Sequence, residues 1–188
     1  MNNQTSIVPG SLSQVAQRSG KSLAESFIMA EVMCLVDVSG SMDSRDSRGG
    51  NSRFATACDE LAKLQAGRPG KIAVAAFSSS TQFAPGGVPE FQGGGTNMAD
   101  ALKFAKTADV GGMRFVIISD GEPNSREETL AAARLIQGKI DVVYVGPEGG
   151  EGRRFLEQLA KAGRGQFVTA DRAIELAERV ETLLLARG

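Results

Sequence analysis

Val32-Met33-Cys34-Leu35-Val36 is an unbroken apolar run that stops at an acid, Asp37, and is followed by hydroxyls at alternate positions, Ser39 and Ser41. A short run with no polar alternation has no face to offer water, which marks a strand in the middle of a parallel sheet covered by helices on both sides. Such sheets bind ligands in the crevice beyond the carboxyl ends of their strands. Asp37, Ser39 and Ser41 fall at that end. One carboxylate and two hydroxyls present only hard oxygens, a donor set that suits Mg²⁺ or Mn²⁺ rather than zinc.

The rest of the chain supplies partners for that strand. Lys71–Phe77, Met113–Ser119, Ile140–Val145 and the shorter Gly165–Thr169 read as further strands. Thr81-Gln82-Phe83 follows the second strand after only Ser78-Ser79-Ser80. Three residues cannot make a parallel crossover, so this piece is expected as an antiparallel edge. Between the strands the apolar residues take helical spacing. A helix is expected over 52–65 with Phe54, Cys58, Leu61 and Leu64 on its apolar side, closed by Gly67-Arg68-Pro69-Gly70. Asn97 with Asp100 caps a helix running to about Thr107, and Ser125 with Glu128 has the capping-box pattern for another reaching about Gln137. A helix through Phe155, Leu156 and Leu159 ends at Gly163. Asp171 opens a last one with Ala173, Leu176, Val180, Leu183 and Leu184 in a stripe. This alternation predicts an α/β fold of three layers, α/β/α, with a mostly parallel central sheet and one antiparallel edge strand.

Two further segments bear on the Asp37 crevice. Gly93-Gly94-Gly95-Thr96 lets the backbone approach an ion closely and ends in a hydroxyl at a helix start. The strand Phe115-Val116-Ile117-Ile118-Ser119 ends at Asp120-Gly121. Taken singly, the serines and Asp120-Gly121 read as turn residues and Thr96 as a helix cap. Together, Asp-x-Ser-x-Ser, the later Thr and the later Asp resemble the metal-ion-dependent adhesion site of von Willebrand factor A (VWA) domains, in order and each beside the expected element.

The resemblance covers the chain from about residue 30 and implies a Rossmann-like VWA domain over 30–188; the N-terminal helical extension over 1–29 is a departure from it, since most VWA domains reach their first strand sooner. It implies Ser39, Ser41 and Thr96 as direct hydroxyl ligands of Mg²⁺ (Mn²⁺ and Ca²⁺ being the alternatives), with Asp37 and Asp120 acting directly or through water. It further implies a protein-binding module, not an enzyme, that captures an Asp or Glu of a partner protein through the ion. The partner could belong to a complex that includes an AAA+ ATPase, as for intracellular bacterial relatives. Two other readings are set beside it. One is a Mg²⁺-dependent phosphate-ester hydrolase or phosphotransferase using Asp37, disfavoured because Ser39 stands where a second acid would be needed and no general base accompanies the motif. The other is a scaffold subunit stiffened by the metal.

Composition narrows the field. The absence of His excludes Ser-His-Asp and Cys-His catalysis. Lys and Arg (21) nearly balance Asp and Glu (22), which leaves no basic footprint for nucleic acid. No run is long enough to span a bilayer and the start lacks the features of a signal peptide, so a cytoplasmic location is expected, with Cys34 and Cys58 as reduced thiols. Residues to Gly10 are polar; Leu12, Val15, Ala16, Leu23 and Phe27 predict one or two short helices broken at Gly20. Gly20-Lys21-Ser22 invites a P-loop reading, but the first Gly of that motif is Val15 here and no strand precedes it, so nucleotide binding is rejected.

Overall fold

A computed structural model describes residues 7–110, 112–121 and 123–170. The expected final helix beginning at Asp171 lies outside the described residues. The two N-terminal helices are α1 (Leu12–Ser19) and α2 (Leu23–Ile28). Their junction explains the residues that mimic a P-loop: Gly20 closes α1 in the left-handed region, and Ser22 opens α2 in a reciprocal capping box with Glu25.

The sheet has six strands: β1 (Val32–Asp37), β2 (Ile72–Phe77), β3 (Thr81–Phe83), β4 (Arg114–Ser119), β5 (Ile140–Tyr144) and β6 (Arg164–Thr169). Their order is β3-β2-β1-β4-β5-β6, all parallel except β3 against β2, as the three-residue turn demanded. Every residue of β1, β2, β4 and β5 is buried. The remaining helices are α3 (Arg53–Gly67), α4 (Met98–Lys106), α5 (Arg126–Leu135) and α6 (Glu151–Ala162).

Strand parity sorts the core into two clusters. Met33, Leu35, Phe115 and Ile117 face α4, α5 and α6, whereas Cys34, Val36, Val116 and Ile118 lie on the other face with Ala57, Leu61 and Leu64 of α3. The three-layer α/β fold with one antiparallel edge is therefore present.

Two local expectations are corrected. The buried side of α3 is Ala57, Glu60, Leu61 and Leu64, while Phe54 and Cys58 are only half-buried, because the helix turns its first apolar residue toward Phe91 of a neighbouring loop. Helix α5 stops two residues short of Gln137: Asp109 accepts hydrogen bonds from the Gln137 and Gly138 backbone N–H groups, which turns the chain into β5. Beyond β1, Gly40–Asp43 forms a 3₁₀ turn, and Gly49 and Gly50 lie at positive φ.

Candidate metal centre

The sheet reverses direction about β1, with β2 on one side and β4 on the other, which makes the ends of β1 and β4 the crevice of the fold. Asp37 ends β1 and Asp120 directly follows β4. Parity puts Asp37 on the Met33–Leu35 face and Ser119 on the Phe115–Ile117 face of the neighbouring strand, so the two side chains meet. Ser119 Oγ donates to Asp37 Oδ2 at 2.7 Å, and the Ser39 N–H donates to Asp37 Oδ1 at 2.9 Å. The second bond is an Asx turn that folds the loop back over its strand. It brings Ser39 Oγ to 3.3 Å from Ser41 Oγ, near the roughly 3.0 Å edge of an octahedron of ligands at about 2.1 Å.

Asp37 and Ser39 are buried, and Ser41 is exposed. Burial pushes the Asp37 carboxyl up to about 6 and nearby Asp120 adds to the push, against the Ser119 and Ser39 hydrogen bonds that favour the anion.

Backbone hydrogen bonds bring the second loop over the first. The Gly40 N–H donates to Gly94 O at 3.0 Å, and the Gly93 N–H donates to Val38 O at 2.9 Å. Gly94 lies at φ +80°, a conformation that side-chain-bearing residues rarely adopt, so this turn depends on glycine. Buried Thr96 follows. Its N–H donates to Asn124 Oδ1 and its carbonyl accepts from the Asn124 N–H, both at 2.9 Å, which ties the second loop to the third. Asn97, not Thr96, caps α4. The Thr96 side chain is thus not spent on the helix end.

The third loop brings Asp120. Its Oδ2 accepts from Arg53 at 2.7 Å, while its Oδ1 is buried with no hydrogen-bond partner among the described residues. A buried carboxylate oxygen left unpaired is costly, so an orphan of this kind points to a missing ligand. Arg53 also forks onto Asp46, with Nε and Nη2 at 2.7 and 2.6 Å from its two oxygens. Those bonds hold the Asp46 carboxyl below its usual range and push the guanidinium further up, chiefly through Asp46. Among the described residues no three acids or cysteines gather into a metal-binding cluster. The hard-oxygen set of Asp37, Ser39, Ser41, Thr96 and Asp120 fits Mg²⁺ or Mn²⁺ on donor chemistry.

Of the five expected residues Asp37 ends β1, and the other four stand on the loops at this crevice. The roles of Ser119 and Asn124 and the pairing of Arg53 with Asp120 were not anticipated. Ser119 could have been found by strand parity with Asp37. The Arg53–Asp120 pairing could not, because 67 positions separate the two residues.

No family model matches the sequence, and no curated protein sequence matches it. Solved structures do. An aerotolerance-related membrane protein from Bacteroides fragilis superposes with a TM-score of 0.65 at 18% identity, over 81% of this chain and 97% of that one. A manganese-loaded TRAP protein from Plasmodium vivax gives 0.58 at 17%, over 80% and 72% respectively. A von Willebrand factor type A protein from Catenulispora acidiphila gives 0.59 at 18%, over 80% of this chain but only 42% of that one. At such identities the likeness establishes the fold, that of VWA domains, and not the site.

Proposed function

We propose that this chain is a divalent-metal-dependent protein-binding module, and that it recognises an Asp or Glu of a partner protein at the crevice beyond β1 and β4. The observation that carries the reading is the orphaned, buried Asp120 Oδ1 among the loops that bear Asp37, Ser39, Ser41 and Thr96. A Mg²⁺ or Mn²⁺ ion held there would supply an electrophilic position open to an outside carboxylate. Ser39, Ser41 and Thr96 would hold it through neutral oxygens. Asp37, with both carboxylate oxygens already accepting hydrogen bonds, orients the Ser39 loop and the β4 end. The manganese carried by the Plasmodium vivax protein of like fold supports the choice of ion.

The same geometry argues against catalysis. An aspartyl nucleophile must reach substrate, yet Asp37 is 0% exposed and engaged at both oxygens. Among the described residues no helix is long and apolar enough to cross a membrane.

The test is calorimetric titration of chelator-stripped protein with Mg²⁺ and Mn²⁺, alongside folded Asp37→Ala and Thr96→Ala variants. Binding by the wild type and its loss in both variants is expected. An acidic peptide is then expected to bind only in the presence of metal. Peptide binding unaffected by chelator would refute the reading.

A further inference from the structure

Among the described residues, Arg53 is the one cation that the structure places on a carboxylate of the crevice. It opens α3 behind the Ser52 cap, and its N–H donates to Ser44 O at 3.0 Å, so the loop that follows the serines fixes its backbone. The guanidinium is held from two sides: two nitrogens on Asp46 and one on Asp120 Oδ2, with the side chain 15% exposed. A planar fork engaged this way has little freedom to leave. It occupies one oxygen of Asp120 and leaves the other unpaired.

Charge counting then gives the ion its character. Asp37 and Asp120 together balance a divalent cation. Arg53 adds a further positive charge on the inner side, and Asp46, which partly offsets it, is 43% exposed and screened by solvent. A loaded crevice would carry surplus positive charge that one incoming carboxylate removes.

We propose that Arg53 is a built-in counter-ion that offsets the charge of Asp120 from its Oδ2 side, so that an ion at this crevice stays electrophilic toward an acidic side chain of the partner. The proposal rests on the metal-dependent reading above and adds a positioning residue to it. By offsetting the Asp120 charge it weakens intrinsic metal affinity and strengthens the coupling between metal and carboxylate. A plain structural role, fastening α3 to the end of β4, would alter stability and leave both of those quantities alone.

The experiment is Mn²⁺ titration of chelator-stripped protein, with free ion followed by its electron paramagnetic resonance signal, repeated in the presence of acetate. In folded Arg53→Gln, Mn²⁺ should bind about tenfold more tightly, as expected when a unit charge a few ångströms from a divalent ion is removed in a solvent-screened setting. The gain in Mn²⁺ affinity produced by acetate should fall to near nothing. Arg53→Lys, which keeps the charge, should stay within about threefold of the wild type. Asp46→Asn provides an opposite sign: the guanidinium then leans on Asp120 alone, and Mn²⁺ binding should weaken. Equal Mn²⁺ affinity in the wild type, Arg53→Gln and Asp46→Asn would overturn this inference while sparing the metal site. No Mn²⁺ binding by any of them would overturn both.

Discussion

At the scale of single residues, the role proposed for Asp37 works against its place in the fold. On that proposal its carboxylate is ionised to balance a cation, yet it is buried at the end of a central strand. The cost has a definite sign. Its folded value of about 6 lies above the ordinary 3.8, so between those values the folded state holds a proton that the unfolded chain has lost. Without metal, this residue therefore costs nothing below about pH 4 and destabilises the fold as pH rises toward 6, by on the order of 3 kcal/mol in all. Denaturant unfolding of wild type and Asp37→Asn in chelator, at pH 4 and pH 7, should show the wild type losing ground to the variant by about that amount. Saturating Mn²⁺ should remove the loss. A constant difference between the two proteins would mean the carboxyl is not held in this environment. The cysteines have no such role: burial pushes Cys34 up to about 12 and Cys58 up to about 11, so neither is a reactive thiolate at neutral pH.

At the scale of elements, the third loop is shaped by how closely α6 docks on it. Gly121 has φ +91°, and a Cβ there would come within 2.5 Å of the Gly152 carbonyl; one on Gly152 would come within 2.0 Å of the Asp120 carbonyl. Two glycines thus let the first turn of α6 lie directly against the backbone that presents Asp120. Gly121→Ala should cost more than about 1 kcal/mol from the positive φ alone, with a similar or larger amount from the clash. Because the displaced backbone carries Asp120, the variant should also bind Mn²⁺ more weakly. Thermal melts and the same titration check both halves, and a fully stable Gly121→Ala would contradict the close docking. The element boundaries were largely legible because caps are local chemistry. Ser52, Asn97 and Ser125 each accept from the backbone N–H three residues on. The early end of α5 was not legible, because Asp109, which receives its last turn, sits 28 positions away in another loop.

At the scale of the whole molecule, one ion pair spans half the sheet. Arg114 on β4 bonds Asp141 on β5, and the other oxygen of Asp141 accepts from the Gln166 N–H on β6 at 2.8 Å. Both side chains are buried, on the face opposite Asp37, and Arg114 Nε has no partner among the described residues. Removing one member should be far worse than removing both. Asp141→Leu alone should cost about 3–5 kcal/mol by stranding a buried guanidinium, and adding Arg114→Met should recover most of it. Denaturant unfolding of the two singles and the double closes the cycle, and additive losses would show the pair to be energetically independent.

The sequence by itself determined the layers, the parallel sheet, the antiparallel third strand and the order in which three loops reach one crevice. Each of these follows from short-range rules: periodicity, cap chemistry, and the inability of three residues to make a crossover. It also named five oxygen-bearing residues, at strand ends, in the loop after β1 and behind a glycine run, through their resemblance in order to the VWA adhesion site. Only the tertiary structure decided how those residues are held. Ser119 meets Asp37 across a strand register, Asn124 clasps Thr96, and Arg53 reaches Asp120 from the start of a helix in a different layer. Side-chain pairings of that kind depend on the distance and angle between elements, which packing sets and no local pattern records.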